Sequence, residues 1–422
     1  VNTTRSLVVS GTSNRADPGA PTDAELLSML SLSANPILSS AQQSNTLNWA
    51  FSSNISSSKD TAFNYLKKDE TLVLTYTITA TDNDSTPLSG SNTVTITITG
   101  TNDTPLISAK DTTAGDVASL SETNTTLTTA GSFTVTDLDT TDVVTATVTS
   151  VALTGSFMSS GSTLPSALIS SSYLALKNML TLTPAAGSPM AADAPAGSSF
   201  IWIFTSGSSG DTAFNFLREG ETLTLTYTLT LTDNSGASSP QASTSATTTV
   251  AVTITGTNDT PLITNAPDTA ALTETNASIS TTGSFTVTDV DLTDTVAATV
   301  ESVVISGGSF NANSVPLTNA ELKAMLSLSA TGGTSALPAN PSAGSDVAWT
   351  FASGPTTGGG NKAFDFLAAG ETLELTYTVK TTDTSPARTG KASELATSTV
   401  TITVTGTNDG PVATFTSAQT TA

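Results

Sequence analysis

The sequence contains no cysteine and no histidine among its 422 residues. Without cysteine, no disulfide holds the chain together, and any cross-linking outside the cell has to come from another source such as bound metal. Without histidine, the chain lacks the commonest general base, the commonest transition-metal ligand and every catalytic triad that contains this residue. Paired carboxylates are what remains for catalysis, as in glycoside hydrolysis.

Positive charge is also scarce. Lys and Arg number 13 against 35 Asp and Glu, which gives a net charge of −22. A surface this acidic repels nucleic acid and anionic lipid, so we expect neither as a partner. Clustered carboxylates need cations, and Ca2+ is the hard cation that sites made only of oxygen ligands take.

Long apolar runs are missing too. The chain has no apolar stretch of membrane-spanning length and no signal-peptide pattern, so we expect no membrane insertion in this segment. Hydrophobic residues still make up 37% of the sequence and alternate with polar ones, which is typical of a folded β protein rather than a disordered acidic tail. The pattern starts in mid-repeat, which suggests an excerpt of a longer chain.

One motif divides the chain. Thr-Gly-Thr-Asn-Asp-Thr-Pro occupies 99–105 and 255–261, and Thr-Gly-Thr-Asn-Asp-Gly-Pro occupies 405–411. Each copy, here called the joint, follows a strand-like run and opens a new copy of the whole pattern, which predicts a tandem array. The predicted units are a first repeat without its N-terminal strands, two complete repeats, and the start of a further repeat or a tail: 1–103, 104–259, 260–409 and 410–422.

Alternating strands dominate each repeat. Segments 72–78, 223–231 and 373–379 place large apolar residues on one face and mostly Thr on the other, as in half-buried antiparallel strands. We therefore predict an all-β fold of immunoglobulin-like or cadherin-like Greek-key β-sandwiches in a linear array. The aromatic residues of these strands are predicted to lie in the core, with sugar stacking as the alternative for the tryptophans: Tyr76, Tyr227, Tyr377, Trp49, Trp202 and Trp349.

Each repeat is also predicted to contain one short helix followed by a loop. Cap residues precede helically spaced apolar residues at 21–30 and 317–326, and a weaker version lies at 172–180. Segments rich in Ser, Pro and Gly follow at 33–46, 183–199 and 329–346, and they are predicted to be loops.

The acidic residues recur at fixed places in the repeats. In the second repeat these places are Glu122, the pair Asp137 and Asp139, Glu221 and Asp233. An Asp-x-Asp pair at a strand end puts two carboxylates on one side of the chain, where they repel each other unless a cation lies between them. Ca2+ takes about 6–8 oxygens, more than one loop offers here, so two repeats would have to share it.

Two simpler interpretations stay open. The Asn-Asp pair of the joint is also a common turn sequence, because both side chains cap turns through their own backbone. Asp142 and Asp294, which follow the Asp-x-Asp pairs, are either solvated loop residues or part of the site.

The third repeat carries a family resemblance. Phe-Asp-Phe-Leu at 364–367, Gly-Glu-Thr-Leu at 370–373 and an alternating strand at 375–379 precede a final strand that ends in the joint. This pattern resembles the VCBS repeat, which occurs in tandem in very large bacterial surface and secreted proteins, notably RTX-type adhesins exported by type I secretion. The resemblance is specific in the second half of each repeat, and the helix and its loop depart from it.

The layout is also similar, more loosely, to cadherin repeats, in which glutamates, an Asn-Asp joint and an Asp-x-Asp pair share Ca2+ between domains. The resemblance implies a first joint of Glu70, Asn102, Asp103, Asp137, Asp139 and Asp233. It implies a second joint of Glu122, Glu221, Asn258, Asp259, Asp289, Asp291 and Asp383. It leaves half a site in Glu274, Glu371, Asn408 and Asp409.

These patterns predict a structural rather than a catalytic function, because the acidic residues repeat with the array instead of forming one unique cluster. The resemblance implies an extender or stalk of an extracellular adhesin on a bacterial cell surface, with neighbouring repeats as partners. The alternatives are a carbohydrate-binding module array that binds surface glycans, an accessory region of a secreted polysaccharide-degrading enzyme, and a self-associating subunit of a surface layer or filament.

Overall fold

The structure is a computed structural model. It describes residues 1–411 apart from 18, 34–36, 40, 54–61, 111–116, 140–141, 170–172, 185–189, 192–197, 208–212, 234–244, 331–335, 339–343, 355–362 and 384–394. The described residues lie mostly in β-strands, as the alternation of apolar residues and Thr predicts, with a few helical turns.

The middle of the chain forms two sheets around one hydrophobic core. Its strands are β6 (Leu106–Lys110), β7 (Val117–Ser121), β8 (Thr128–Thr136), β9 (Val143–Thr154), β10 (Leu180–Thr183), β11 (Met190–Ala191), β12 (Ser198–Thr205), β13 (Thr222–Asp233) and β14 (Ser245–Thr255). One sheet has the order β10-β12-β8-β6 and the other β11-β9-β13-β14-β7. Apart from the parallel pair β7–β14, neighbouring strands are antiparallel. This is the strand order of an immunoglobulin-like Greek-key sandwich.

The last part of the chain repeats that topology strand for strand. Its strands are β15 (Leu262–Thr264), β16 (Asp268–Thr273), β17 (Ser280–Thr288), β18 (Thr295–Gly308), β19 (Leu326–Ala330), β20 (Ala336–Pro338), β21 (Ser345–Ala352), β22 (Thr372–Asp383) and β23 (Leu395–Thr405). The sheet orders are β15-β17-β21-β19 and β16-β23-β22-β18-β20, and a second hydrophobic core lies between them.

The first part of the chain has fewer strands. They are β1 (Asn2–Gly11), β2 (Leu30–Leu32), β3 (Trp49–Phe51), β4 (Thr71–Thr81) and β5 (Ser89–Thr99). The order β1-β4-β5 corresponds to β9-β13-β14, and the pair β2–β3 corresponds to β10–β12. A third, smaller core lies between these two sheets. The boundaries assigned to the four predicted units stay a prediction.

The helical turns differ from one predicted repeat to the next. The first has α1 (Asp23–Ser28) and the third has α4 (Asn319–Ala324), each opened by a threonine in a capping box. The second has two four-residue turns, α2 (Ser156–Ser159) and α3 (Leu174–Lys177). The third also has a 3-10 turn at Ala312–Ser314. The prediction of one helix per repeat therefore needs correction in the second and in the third. Two predicted loops also contain short strands, because β11 pairs with the edge of β9 and β20 with the edge of β18.

One tyrosine in each repeat ties the central strand to the helical turn. The hydroxyl of Tyr227 donates to the carbonyl of Leu176 over 2.9 Å, and both residues are fully buried. Tyr76 and Tyr377 donate in the same way to the carbonyls of Leu26 and Leu322. A buried hydroxyl requires such an acceptor, so the predicted core position of the tyrosines also anchors the helix.

The tryptophans divide into two kinds. Trp202 and Trp349 are fully buried beneath Gly131 and Gly283, where an added Cβ would lie within 2.5 Å of the indole ring. Trp49 is 50% exposed, so its predicted core position was wrong. The described residues supply no counterpart of β8 beside β3, where Trp202 and Trp349 have such a strand beside theirs.

We expect Tyr227→Phe to lower the free energy of unfolding by about 0.5–1.5 kcal/mol, because one buried hydrogen bond is lost while the carbonyl of Leu176 keeps the amide of Met179 as a donor. Chemical unfolding of the full chain measures this change. Tyr65→Phe is the matched control: its buried hydroxyl has no hydrogen-bond partner among the described residues, and the second repeat has Phe216 at the corresponding position. Equal losses for both variants would contradict the assigned role of the Tyr227 hydroxyl.

Candidate metal centre

A glycine lets each joint pack closely on the turn that precedes the central strand. The amide of Gly256 donates to the carbonyl of Glu221 over 2.8 Å, and the amide of Gly220 donates to the carbonyl of Gly256 over 3.1 Å. A Cβ on Gly256 would lie 2.1 Å from the carbonyl oxygen of Leu217. Gly100 and Gly406 have the same close contact, so only glycine fits at these three positions.

At the first joint, three segments meet. The side-chain amide of Asn102 donates to Asp233 Oδ2 at the end of β13, over 3.2 Å. The backbone amide of Asp103 donates to Asp139 Oδ2 over 2.7 Å. Asp137 accepts from the backbone of Asp139 over 3.1 Å, which folds the Asp-x-Asp segment after β8 into a turn. The structure thus brings five of the six predicted ligands together.

The second joint repeats this geometry. The side-chain amide of Asn258 donates to Asp383 Oδ2 over 3.0 Å, and the backbone amide of Asp259 donates to Asp291 Oδ2 over 2.8 Å. Asp289 accepts from the backbone of Asp291 over 3.1 Å. The two joints differ from each other by at most 0.2 Å in these three distances.

Burial makes these carboxylates hard to ionise. It is the main cause that raises the pKa of Asp137, Asp139 and Asp289 to about 7 and that of Asp291 to about 9. Backbone hydrogen bonds oppose the shift, and neighbouring carboxylates add to it. Burial also raises the pKa of Asp103 at the edge of the first joint.

Several buried oxygens at the joints lack a hydrogen-bond partner among the described residues. Asp137 Oδ2, Asp139 Oδ1, Asp289 Oδ2 and Asp291 Oδ1 are the four in the Asp-x-Asp pairs. Leaving such an atom without a partner costs free energy, and more so when the group is charged. A hard cation would supply the missing partner, since Ca2+ takes carboxylate and amide oxygens. The residues present therefore fit Ca2+.

One glutamate reaches the second joint from the parallel strand pair β7–β14. The backbone amide of Glu122, just after β7, donates to the carbonyl of Thr255 over 2.7 Å, and Thr257 Oγ1 donates to Glu122 Oε2 over 2.6 Å. The charge of Asp259 acts on Glu122, whose pKa is raised mainly by burial. Glu122 Oε1 is buried without a hydrogen-bond partner among the described residues. Glu122 thus lies at the second joint, where the cadherin resemblance places it.

The glutamates before the central strands are held differently. Glu70 Oε2 accepts from the backbone of Lys67 over 3.3 Å, and Glu371 Oε2 accepts from the backbone of Ala368 over 2.8 Å. Glu221 Oε1 lies 3.4 Å from Arg218 Nε. These contacts hold each glutamate within its own turn. The carboxylates whose charges act on Asp137 are those of Asp233, Asp142 and Asp103, so Glu70 is not among them.

Two aspartates left open by the sequence, and two residues that it does not single out, lie at the joints. Asp142 and Asp294 are buried, which settles the open question against a solvated loop position. Arg218 Nη1 lies 3.6 Å from Asp294 Oδ1 across the second joint. The amide of Leu292 donates to the carbonyl of Phe216 over 3.1 Å, and its side chain packs on the core of the second repeat. Hydrophobic spacing within the Asp-rich segment is the only signal that points to Leu292.

At the end of the third repeat, Asn408 and Asp409 are exposed, whereas Glu274 is buried. Thr407 Oγ1 donates to Glu274 Oε2 over 2.8 Å, as Thr257 does to Glu122. One carboxylate outside the predicted set, that of Asp365, approaches Glu274 and Asp409.

In the part of the chain that the structure describes, no helix is long and apolar enough to cross a membrane.

The strand order defines a chain of immunoglobulin-like β-sandwiches. No protein-family model matches the sequence, and no curated protein matches it either. Among solved structures, three cadherin domains of mouse protocadherin-24 show 13% identity over 79% of each chain, with a TM-score of 0.29. Four cadherin domains of Drosophila N-cadherin show 12% identity over 81% of this chain and 60% of theirs, with a TM-score of 0.23.

The titin domains Z1 and Z2 in complex with telethonin show 11% identity over 72% of this chain and 96% of theirs, with a TM-score of 0.24. Likenesses at these scores carry no weight for function. The fold assignment therefore rests on the strand order and the buried cores of the chain itself.

We expect Gly256→Ala to open the second joint and to destabilise the chain by at least about 2 kcal/mol, because its Cβ would meet two backbone carbonyl oxygens. Thermal unfolding measures the loss. Gly410→Ala is the control, since nothing lies within 4 Å of its added Cβ. A Gly256→Ala protein as stable as the control would contradict the close packing of joint on turn.

In the presence of chelator, stability should fall as pH rises from about 5 to 9. The folded pKa values of about 7 for Asp137 and Asp139 lie above the ordinary value of 3.8, so folding favours the protonated forms. Their contribution is complete below the ordinary value and is lost as pH rises through about 7. Each proton taken up on folding changes the slope by about −1.4 kcal/mol per pH unit.

The measurement is urea unfolding at a series of pH values. The double variant Asp137→Asn and Asp139→Asn should flatten the slope. The exposed pair Asp69→Asn and Asp84→Asn removes the same charge and should leave the slope unchanged. Stability that rises with pH in chelator over this window would contradict the assignment.

Proposed function

We propose that this chain is a structural segment in which β-sandwich repeats are joined end to end and stiffened by Ca2+ at each joint. The observation that carries the proposal is the repeated joint geometry, in which buried carboxylate oxygens of an Asp-x-Asp pair have no protein partner among the described residues. A buried acidic cluster built twice in the same way is an ion site rather than an accident of charge.

The chain's own residues would position the carboxylates that bind the ion. The backbone amides of Asp103 and Asp259 hold the next repeat's Asp-x-Asp pair in place, and Asn102 and Asn258 hold the aspartate at the end of the central strand. Ca2+, when bound, supplies the positive charge that lets these carboxylates ionise together. Asp103, Asp137, Asp139 and Asp233 would hold it at the first joint. Asp259, Asp289, Asp291, Asp383 and Glu122 would hold it at the second.

We further propose that the parent protein is an extracellular adhesin of a bacterial cell surface, in which this segment serves as an extender or stalk. This step rests on the resemblance of the third repeat to the VCBS repeat. A surface or secreted location suits a chain without cysteine, since Ca2+ would then provide the stiffening that disulfides provide elsewhere. The function is mechanical rather than catalytic, because the acidic sites repeat with the array.

The carbohydrate-binding alternative gains no support from the tryptophans. Trp202 and Trp349 are buried beneath glycines and present no ring face to a sugar. Trp49 is half exposed. In the described part of the first repeat, no strand corresponds to β8 beside β3. The accessory-region and self-association alternatives stay predictions. The scattering experiment below also detects self-association, as a mass above that of one chain.

We expect Ca2+ to lengthen the particle and raise its melting temperature, because each joint loses the repulsion between its carboxylates. Small-angle scattering with Ca2+ and with chelator, beside thermal unfolding, measures both effects. Asp137→Asn with Asp139→Asn should remove the response of the first joint and keep that of the second. The exposed pair Asp69→Asn and Asp84→Asn is the control and should respond like the unmodified chain.

Two results would contradict the proposed role of Ca2+ at the joints. A particle whose length and melting temperature ignore Ca2+ would mean that the joints are only turns. A response that survives in variants of both joints, with Asp289→Asn and Asp291→Asn added, would place the effect of Ca2+ elsewhere.

A further inference from the structure

Three carboxylates of the third repeat meet at its C-terminal end. Glu274 follows β16, Asp365 lies in the turn before β22, and Asp409 belongs to the joint. One oxygen of each lies within 4.8 Å of the others. Oxygens bound to one Ca2+ at about 2.3–2.6 Å can be up to about 5 Å apart, so this separation suits a shared cation.

The backbone fixes the position of Glu274 and that of the joint that carries Asp409. The amide of Glu274 donates to the carbonyl of Thr405 over 2.7 Å, which continues the parallel pairing of β16 with β23. The amide of Gly406 donates to the carbonyl of Glu371 over 2.8 Å and holds the joint against the turn. The carboxylates are therefore brought together by the fold rather than by flexible side chains alone.

Glu274 provides the second, independent observation. Its side chain is only 1% exposed, and its Oε2 accepts from the amide and hydroxyl of Thr407, over 3.3 and 2.8 Å. Its Oε1 is buried and has no hydrogen-bond partner among the described residues. A buried carboxylate oxygen beside two further carboxylates is stable only with a proton or a cation.

In the second repeat, side-chain amides occupy the corresponding place. Asn215 occupies the position of Asp365, and its side-chain amide donates to Asn124 Oδ1. The amide of Asn124 in turn donates to Asp259 Oδ1 over 3.2 Å. Amide hydrogens thus approach the joint aspartate in the second repeat, where the third repeat places another carboxylate.

The geometry points to a divalent-cation site of the Ca2+ class formed by Glu274, Asp365 and Asp409 within the third repeat. It rests on the proposed function for the choice of cation. It differs from the ligand set that the cadherin resemblance implies, because Asp365 takes the place of Glu371, whose Oε2 accepts from the backbone of Ala368. The three ligands come from one repeat, so this site does not need a carboxylate from a following repeat.

The test exchanges the two side chains that distinguish the repeats. Asp365→Asn gives the third repeat the amide of the second, and Asn215→Asp does the reverse. Equilibrium dialysis of the full chain against Ca2+ counts bound ions, and hydrogen exchange at the amides of Glu274 and Thr407 reports on the site itself. We expect Asp365→Asn to lose one bound Ca2+ per chain and the Ca2+-dependent protection of these amides.

Asn215→Asp is expected to gain one bound Ca2+. An Asp365→Asn protein that stays folded and binds as many ions as the unmodified chain, with the same affinity, would overturn the proposal. The double variant Asp289→Asn and Asp291→Asn separates this site from the joints. If that variant leaves particle length and Ca2+ response unchanged while Asp365→Asn loses an ion, the joint proposal fails and this site stands.

Discussion

The hydrogen bond from a joint amide to the second aspartate of an Asp-x-Asp pair organises much of this chain. At both joints it holds the joint against the Asp-x-Asp turn that follows it in the chain, over 2.7 and 2.8 Å. It also draws carboxylates into a buried position where they repel each other and where burial raises their pKa. The contact that aligns two repeats thereby places carboxylates where a cation would relieve their repulsion, so the proposed ion binding would be coupled to alignment.

The two joints are built alike at the carboxylates but differ beside them. At the second joint, Leu292 packs on the preceding core and Arg218 reaches Asp294. At the first, the sequence has Thr140 in place of Leu292 and Lys67 in place of Arg218. An apolar contact and an ion pair of this kind are stable without metal, whereas a cluster of ionised carboxylates is destabilised by its own repulsion. Stiffness without Ca2+ should therefore be greater at the second joint than at the first.

The regular parts of this structure were predictable, because they follow from local rules. Alternation over β13 and β22, the core tyrosines and the Asp-x-Asp turns all depend on period and spacing. The features that the sequence did not predict depend on residues distant in sequence. Trp49 is exposed where the described residues supply no neighbouring strand, Asp294 is buried beside Arg218 of the preceding repeat, and Asp365 matters only because Glu274 and Asp409 lie beside it. No periodicity in a single sequence encodes such neighbours.

The central strand of each complete repeat links consecutive sites. β13 starts directly after Glu221, beside the second joint, and ends at Asp233 in the first. β22 runs in the same way from the turn next to Asp365 to Asp383 in the second joint. Twelve residues of strand span about 40 Å, and hydrogen bonds to a neighbour on each side hold it in register. Tension applied at one site would reach the next along a single hydrogen-bonded strand, loading many backbone hydrogen bonds together rather than one after another. Cations at both ends of that strand would complete a continuous path for mechanical load.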